Sequence, residues 1–254
     1  MKIAAAQICC TLGDLNANLG TIRDFVSRGR DAGAGLIVFP EMVDTGYAMP
    51  VIQAQANPWS DGAVPELQKI ARAFSIAIVC GVSEREGSVI YNSQVFIDAN
   101  GEIGAGYRKT HLFAVASIQE DKCFAPGDEF TSFAIDRLRL GLSICYDLRF
   151  PEVYRTLAVE DNVNVFIISS AWPFPRLEHF RILASARAIE NQSYVIAANR
   201  VGTADGVNFC GSSALIDHYG TSVAAASADR GTSVCPDSSE GGIFAVPNAL
   251  DAVS

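Results

Sequence analysis

The sequence lacks the marks of several protein classes. It has no C-x-x-C pair, and its 7 cysteines, at Cys9, Cys10, Cys80, Cys123, Cys145, Cys210 and Cys235, are odd in number and scattered. Neither a disulfide framework nor a zinc cluster is suggested, and a reducing, cytoplasmic setting is expected. No apolar run approaches the roughly 18 to 20 residues that span a bilayer, and the opening Met1 to Ala6 meets Gln7 and Asp14 too soon for a secretory leader. Positive charge is scarce. The 19 Lys+Arg against 28 Asp+Glu leave a net charge of −9, which repels a phosphate backbone or an anionic bilayer, so no nucleic acid and no membrane partner is expected. No Pro- or Ser-rich linker and no fixed-period repeat divides the 254 residues, which predicts one domain over 1–254.

What is present is a folded α/β pattern: 49% of residues are hydrophobic and 19% charged, enough to bury a sizeable core. Short β-branched runs at Ile3–Ile8, Gly35–Phe39 and Ile76–Val82 alternate with helical patterns near Asn16–Ala34 and Ala63–Phe74. Val89–Ile97 and Ile103–Arg108 flank Asn100-Gly101, a tight-hairpin signal, so the sheets must be mixed. Further along, strands are predicted at Arg139–Ile144, Val163–Ser169 and Tyr194–Asn199, helices at Phe150–Val159 and Leu177–Asn191, and a hairpin at Asp217–Gly220. The polar stretch Arg230–Gly242 reads as a surface loop.

Chemistry-bearing residues cluster where strands end, the place at which α/β sheets bind ligands. Leu36–Phe39 stops at Pro40-Glu41, the second hairpin strand runs into Lys109, and Leu140–Ile144 stops at Cys145 before a polar turn into a helix. A thiol on such a turn can face a pocket beside the N–H groups of the next helix. Taken singly, each has a plainer reading: Glu41 as a solvated cap, Lys109 as surface charge, Cys145 as core packing.

Their neighbours decide between these. Phe39-Pro40-Glu41, Tyr107-Arg108-Lys109-Thr110-His111-Leu112-Phe113 and Cys145-Tyr146-Asp147-Leu148-Arg149-Phe150-Pro151-Glu152, in that order, together with Ala186–Gln192, resemble the nitrilase superfamily of carbon–nitrogen hydrolases over about Ile3 to Asp217. The resemblance implies a four-layer αββα sandwich with mixed sheets and a Glu-Lys-Cys triad, carried here by Glu41, Lys109 and Cys145. The chemistry agrees. A free thiol is little ionised at neutral pH and needs a base and a positive neighbour. The oxyanion formed by attack on an amide would meet the Lys109 ammonium and the Tyr146 N–H. Glu41 would carry the proton to departing ammonia and then activate water. No metal and no cofactor is needed. The family often adds a second glutamate after the lysine, for which Glu120 is the candidate, with a solvated acid beside Asp121 as its other reading. A papain-like scheme on His111 would leave the Glu and Lys motifs unexplained. Arg187 and Glu190 read as a structural ion pair or an interface contact rather than chemistry.

Two branches of the family compete for the substrate. The Cys145–Glu152 motif is similar to amidases of deaminated glutathione. The Ala171-Trp172-Pro173 turn with Arg176 and His179 looks more like ω-amidases, which act on ω-amides of 2-oxo acids such as 2-oxoglutaramate. An anionic substrate wants an arginine, and Arg149 or Arg176 is the candidate, though either can instead serve a protein carboxylate. Trp172 either lines the pocket or packs the core. N-carbamoyl hydrolysis, nitrile hydrolysis and a non-catalytic binding role are the remaining readings. In the family the C-terminal tail and the helices near Phe150 and Ala186 help pair subunits, so the resemblance implies a homodimer. The family's basic C-terminal segment has no counterpart after Gly241–Val246, where the sequence runs only to Ser254.

Overall fold

The computed structural model describes residues 1–115 and 118–228, together with the backbone of a strand at 243–245. In chain order the elements are β1 (Ile3–Ala6), α1 (Leu15–Asp31), β2 (Leu36–Val38), α2 (Met49–Gln55), α3 (Ala63–Phe74), β3 (Ala77–Glu86), β4 (Val89–Ile97) and β5 (Ile103–Arg108). They continue with β6 (Ala114–Val115), β7 (Ile118–Gln119), β8 (Ser132–Ile135), β9 (Leu138–Ile144), α4 (Pro151–Glu160), β10 (Val165–Ser170), α5 (Leu177–Asn191) and β11 (Tyr194–Asn199). Last come β12 (Val201–Ala204), β13 (Val207–Cys210), β14 (Ala214–Ile216), β15 (Ser222–Ala225) and β16 (Ile243–Ala245).

Two six-stranded sheets carry the fold, in the orders β16-β1-β2-β3-β4-β5 and β15-β14-β11-β10-β9-β8. Each is mixed: β1, β2 and β3 run parallel, as do β9, β10 and β11, while hairpins extend the edges antiparallel. The two-residue alternation of strands sorts the side chains into layers. Ala4, Ala6, Ile37 and Ile78 pack against Ile22, Phe25, Leu67 and Ile70 of α1 and α3. Their neighbours Ala5, Leu36, Val38 and Val79 belong instead to the larger core with Ile144, Ile167 and Ala197 of the second sheet. That same core takes in Tyr154 and Leu157 of α4 and Phe180 and Ala184 of α5. The result is helix, sheet, sheet, helix: the four-layer αββα sandwich expected from the resemblance.

Local signals explain the boundaries. Asp14 caps α1 by accepting the Ala17 N–H at 3.0 Å, and Pro151 opens α4 at the first helical position. Asn100-Gly101 turns the β4–β5 hairpin, with Asp98 accepting the N–H groups of Asn100 and Glu102. The first strand ends at Ala6 rather than Ile8, and the short α2 and the β6–β7 and β12–β13 hairpins have no counterpart in the sequence reading. The expected hairpin at Asp217–Gly220 joins β14 to β15. Arg230–Gly242 and the terminal stretch after Val246 lie outside the described residues. Cys9 is disulfide-bonded, a correction to the expectation that the cysteine pattern suggests no disulfide; sequence spacing does not reveal which thiols a sandwich brings together. Cys10, Cys80, Cys123, Cys145 and Cys210 are free. Among the described residues no helix is long and apolar enough to cross a membrane.

The sheets bring their strand ends to one edge, and Gly81 of β3 sets how closely the chain after β2 can lie. A Cβ at Gly81 would come within 2.6 Å of the Glu41 Cα and 3.1 Å of the Pro40 carbonyl. Gly81→Ala should therefore push Glu41 out of place. We expect a stability loss of about 1–3 kcal/mol by urea melt, accompanied by a fall in activity larger than that of a matched alanine substitution at the solvent-facing Gly20, which has open space around it.

Candidate active site

Four separated segments meet above the strand ends. Glu41 lies beyond β2, Lys109 directly after β5, Glu120 in a 3₁₀ turn after β7, and Cys145 at the start of the 3₁₀ turn Cys145–Arg149 after β9. Glu41, Lys109 and Glu120 are fully buried, and Cys145 nearly so. Lys109 Nζ donates to Glu120 Oε1 at 2.8 Å and to Glu41 Oε1 at 3.1 Å. Burial pulls the ammonium toward neutrality, but the Glu120 and Glu41 carboxylates outweigh it and hold the lysine well above its ordinary pKa. Burial raises the Glu120 carboxyl against the opposing pull of Lys109. So the acid that the sequence left between a site residue and a solvated one belongs to the buried cluster.

The cluster is tightened by groups the sequence reading missed. Tyr47 donates its hydroxyl to Glu120 Oε1 at 2.6 Å, the Phe113 N–H reaches Glu120 Oε2 at 2.6 Å, and Asn92 Nδ2 donates to both glutamates. The Ala171 N–H, just beyond β10, reaches Glu41 Oε2 at 2.7 Å and also serves the Cys145 thiol. One backbone amide thus links the acid to the sulfur. Burial drives the thiol well above its usual range; Glu41 and Glu120 add to this, and Lys109 and the Ala171 N–H oppose it. The thiol is therefore neutral at rest and must lose its proton as it reacts, which makes a neighbouring base indispensable.

Cys145 sits at φ 45°, a left-handed conformation that a side chain other than glycine's adopts at a cost of about 1–3 kcal/mol. The turn is held there by Asp147, fully buried, which accepts the Ile144 N–H at 2.9 Å and the Tyr107 hydroxyl at 2.8 Å. Its other oxygen takes the His111 N–H and ring Nδ1, each at 3.0 Å. Asp147 thereby fastens the cysteine turn to the loop that carries Lys109. His111 is occupied with Asp147 and stacks on Phe150 at 3.7 Å, which gives the papain-like scheme no support. Tyr146 N–H is the second amide of the turn, where the first N–H groups have no intrahelical acceptor.

A pocket opens onto Cys145, lined by Tyr47, Phe113, Tyr146, Arg149, Trp172 and Arg176 among others. Trp172 fills both roles left open by the sequence, lining the pocket while packing against Phe180 at 5.5 Å. The Arg149 guanidinium lies over the Trp172 ring at 5.1 Å with an amine 3.0 Å from His179 Nδ1, and that of Arg176 lies over Phe113 at 5.5 Å. Arg187 pairs with Glu190 at 2.8 Å and donates twice to the Leu148 carbonyl, away from the chemistry. Among the described residues no group of three or more His, Cys, Asp or Glu is placed to hold a metal ion.

The family model described as carbon–nitrogen hydrolase matches residues 2–235. The chain belongs to the carbon–nitrogen hydrolase family. It is 34% identical over 230 residues to the 2-oxoglutaramate amidase of Bacillus subtilis (strain 168), covering 90% of this chain and 87% of that one. To an (R)-stereoselective amidase of Pseudomonas sp it is 35% identical over 223 residues, 87% of this chain and 78% of that one. Among solved structures, the alanine-for-cysteine variant of the amidase from Nesterenkonia sp. AN1, in complex with butyramide, matches with a TM-score of 0.87 at 28% identity, over 97% of this chain and 90% of that one. Cys145 matches the active-site cysteine of those amidase structures. This hydrolase is a thiol-dependent amidase of the nitrilase superfamily.

The Asp147 hub gives a direct test of how the site is held. Asp147→Ala removes the acceptor of the Ile144 N–H, the Tyr107 hydroxyl and the His111 N–H, the buried Ile144 donor alone costing about 1–3 kcal/mol. A loss of several kcal/mol in chemical denaturation is expected. In the fraction still folded, iodoacetamide should no longer show the pH profile of the intact Cys145 site.

Proposed function

We propose that this hydrolase cleaves the ω-amide of a short 2-oxo acid, of the 2-oxoglutaramate type, to the acid and ammonia through a thioester on Cys145. The observation that carries the substrate class is the pair of guanidiniums, Arg149 and Arg176, beside the thiol in a small pocket. Neither has a carboxylate within ion-pair distance among the described residues. Two unpaired cations over an apolar wall suit a substrate whose far end is a carboxylate. The 2-oxoglutaramate amidase relative supports the same reading.

In this scheme Glu41 Oε2 takes the thiol proton as the sulfur bonds to the amide carbon. Lys109, held cationic, and the Tyr146 N–H receive the developing oxyanion. Glu41 passes the proton to the amide nitrogen, the C–N bond breaks, ammonia leaves, and a thioester remains. Water then attacks the thioester, giving its proton to Glu41, which returns it to the sulfur as the acid departs. Glu120 acts on Lys109, fixing its position and charge. The chain from 1 to 254 is read as one hydrolase domain.

The five free thiols support a reducing cytoplasmic compartment, with the disulfide at Cys9 the one feature pointing the other way. A homodimer is proposed through the outer face of α4 and α5, where Val159, Ile182 and Ile189 stand exposed. Ile182 and Ile189 are seven apart and so share one helical face. Ile182→Glu should shift sedimentation toward monomer while leaving the fold intact; a wild type already monomeric at micromolar concentration removes the proposal.

Ammonia release from 2-oxoglutaramate, glutamine, asparagine, deaminated glutathione, butyramide and a simple nitrile decides the substrate. We expect 2-oxoglutaramate to be preferred and all activity to vanish in Cys145→Ala. Arg149→Met and Arg176→Met should raise KM for 2-oxoglutaramate on the order of tenfold or more, a loss of about 1.5–3 kcal/mol for a charge-assisted contact, and leave butyramide nearly unchanged. Equal effects on the charged and the neutral amide would overturn the carboxylate assignment.

A further inference from the structure

The two glutamates that flank Lys109 meet at a second donor. Asn92 lies within β4, fully buried, and gives its Nδ2 to Glu41 Oε1 at 2.6 Å and to Glu120 Oε1 at 3.2 Å. These are the same two oxygens that receive the lysine, at 3.1 and 2.8 Å. The main chain of Asn92 takes part as well, its carbonyl accepting the Lys109 N–H at 2.8 Å. A single residue thus holds the lysine by its backbone and both glutamates by its side chain.

The other end of the amide shows what the residue is not for. Asn92 Oδ1 is buried with no hydrogen-bond partner among the described residues. A core built for stability alone avoids such an acceptor, and an apolar side chain of similar size, leucine, would remove it. Turning the amide over would aim Oδ1 at two carboxylates. The N–H donors are therefore the useful part, and donors to a carboxylate favour its charged form.

We propose that Asn92 is a positioning residue for the reaction: its amide locks the Oε1 atoms of Glu41 and Glu120 against Lys109, so that Glu41 presents Oε2 to the thiol as a carboxylate. The proposal rests on the assignment of Glu41, Lys109 and Cys145 given above. The charged and titratable groups around these glutamates are Lys109 after β5, Cys145 after β9, Tyr47 after β2, Cys123 at the end of the Glu120 turn and Arg200 after β11. All of them remain in Asn92→Leu, so a change in its pH behaviour reports the lost amide, while Asn92→Asp adds a third carboxylate on top of that loss.

The test compares wild type, Asn92→Leu, Asn92→Asp and Cys145→Ala in the full chain, with thermal melts to establish folding. Two pH profiles are read: kcat and KM for amide hydrolysis, and the rate of Cys145 alkylation by iodoacetamide followed on the Cys145 peptide by mass spectrometry. Asn92→Asp keeps the shape of the side chain should Asn92→Leu not fold. We expect kcat to fall on the order of tenfold to a hundredfold with little change in KM, and the acid limb of both profiles to move up by about one pH unit, further in Asn92→Asp. Acid limbs that superimpose on wild type, or a loss confined to melting temperature or KM, overturn the proposal. Activity surviving in Cys145→Ala would defeat the thiol assignment itself; a dead Cys145→Ala with wild-type behaviour at Asn92 defeats only the Asn92 proposal.

Discussion

A buried ammonium between two buried carboxylates governs this molecule. Taking Lys109, Glu41 and Glu120 out of water costs several kcal/mol per ion, and their attraction offsets that only if every remaining lone pair and proton is used. The surroundings are arranged to use them: Tyr47, Asn92 and the amides of Phe113 and Ala171 all donate to the glutamates. Arg200, fully buried and resting over Phe209 at 4.4 Å, supplies a second cation whose field reaches Glu41 and Tyr47. Burial lowers the pKa of that guanidinium, and Cys10, then Glu41 and Tyr47, counter the effect.

The state of the thiol follows from the same arrangement. A cysteine poised as a thiolate would need a net positive neighbourhood, whereas two carboxylates and burial surround Cys145 and keep its proton on. Reactivity is then switched on by an electrophile arriving close enough for bond formation and proton transfer to proceed together. Such a nucleophile suits an unactivated amide in a narrow pocket and gives little purchase to passing oxidants, which attack the thiolate.

Much of this was legible in the sequence because its carriers are local. β-branched runs stopping at Glu41 and Cys145 mark strand ends whatever the tertiary structure, and the family resemblance, with its second glutamate after the lysine, pointed to Glu120. What stayed hidden depends on contacts between distant segments. Ala171 reaches Glu41 across 130 positions and Asn92 reaches it across 51, and a backbone amide has no letter in a sequence. Asp147 stood inside the quoted motif, yet its role joins Ile144, Tyr107 and His111, a convergence that only the packing of β5 against the cysteine turn creates. The β12–β13 hairpin, with Gly202 and the Asp205-Gly206 turn, shows no strong alternation of apolar residues, so nothing in its pattern announced it.

The left-handed backbone at Cys145 has an evolutionary side. Glycine is the residue that fits φ 45° without strain, so at this position folding stability and chemistry pull toward different amino acids. A lineage released from the need for hydrolysis would be expected to drift to glycine there and grow more stable by doing so, keeping the sandwich while losing the sulfur. At this position the backbone asks for glycine and the chemistry for sulfur, and the chain carries the sulfur.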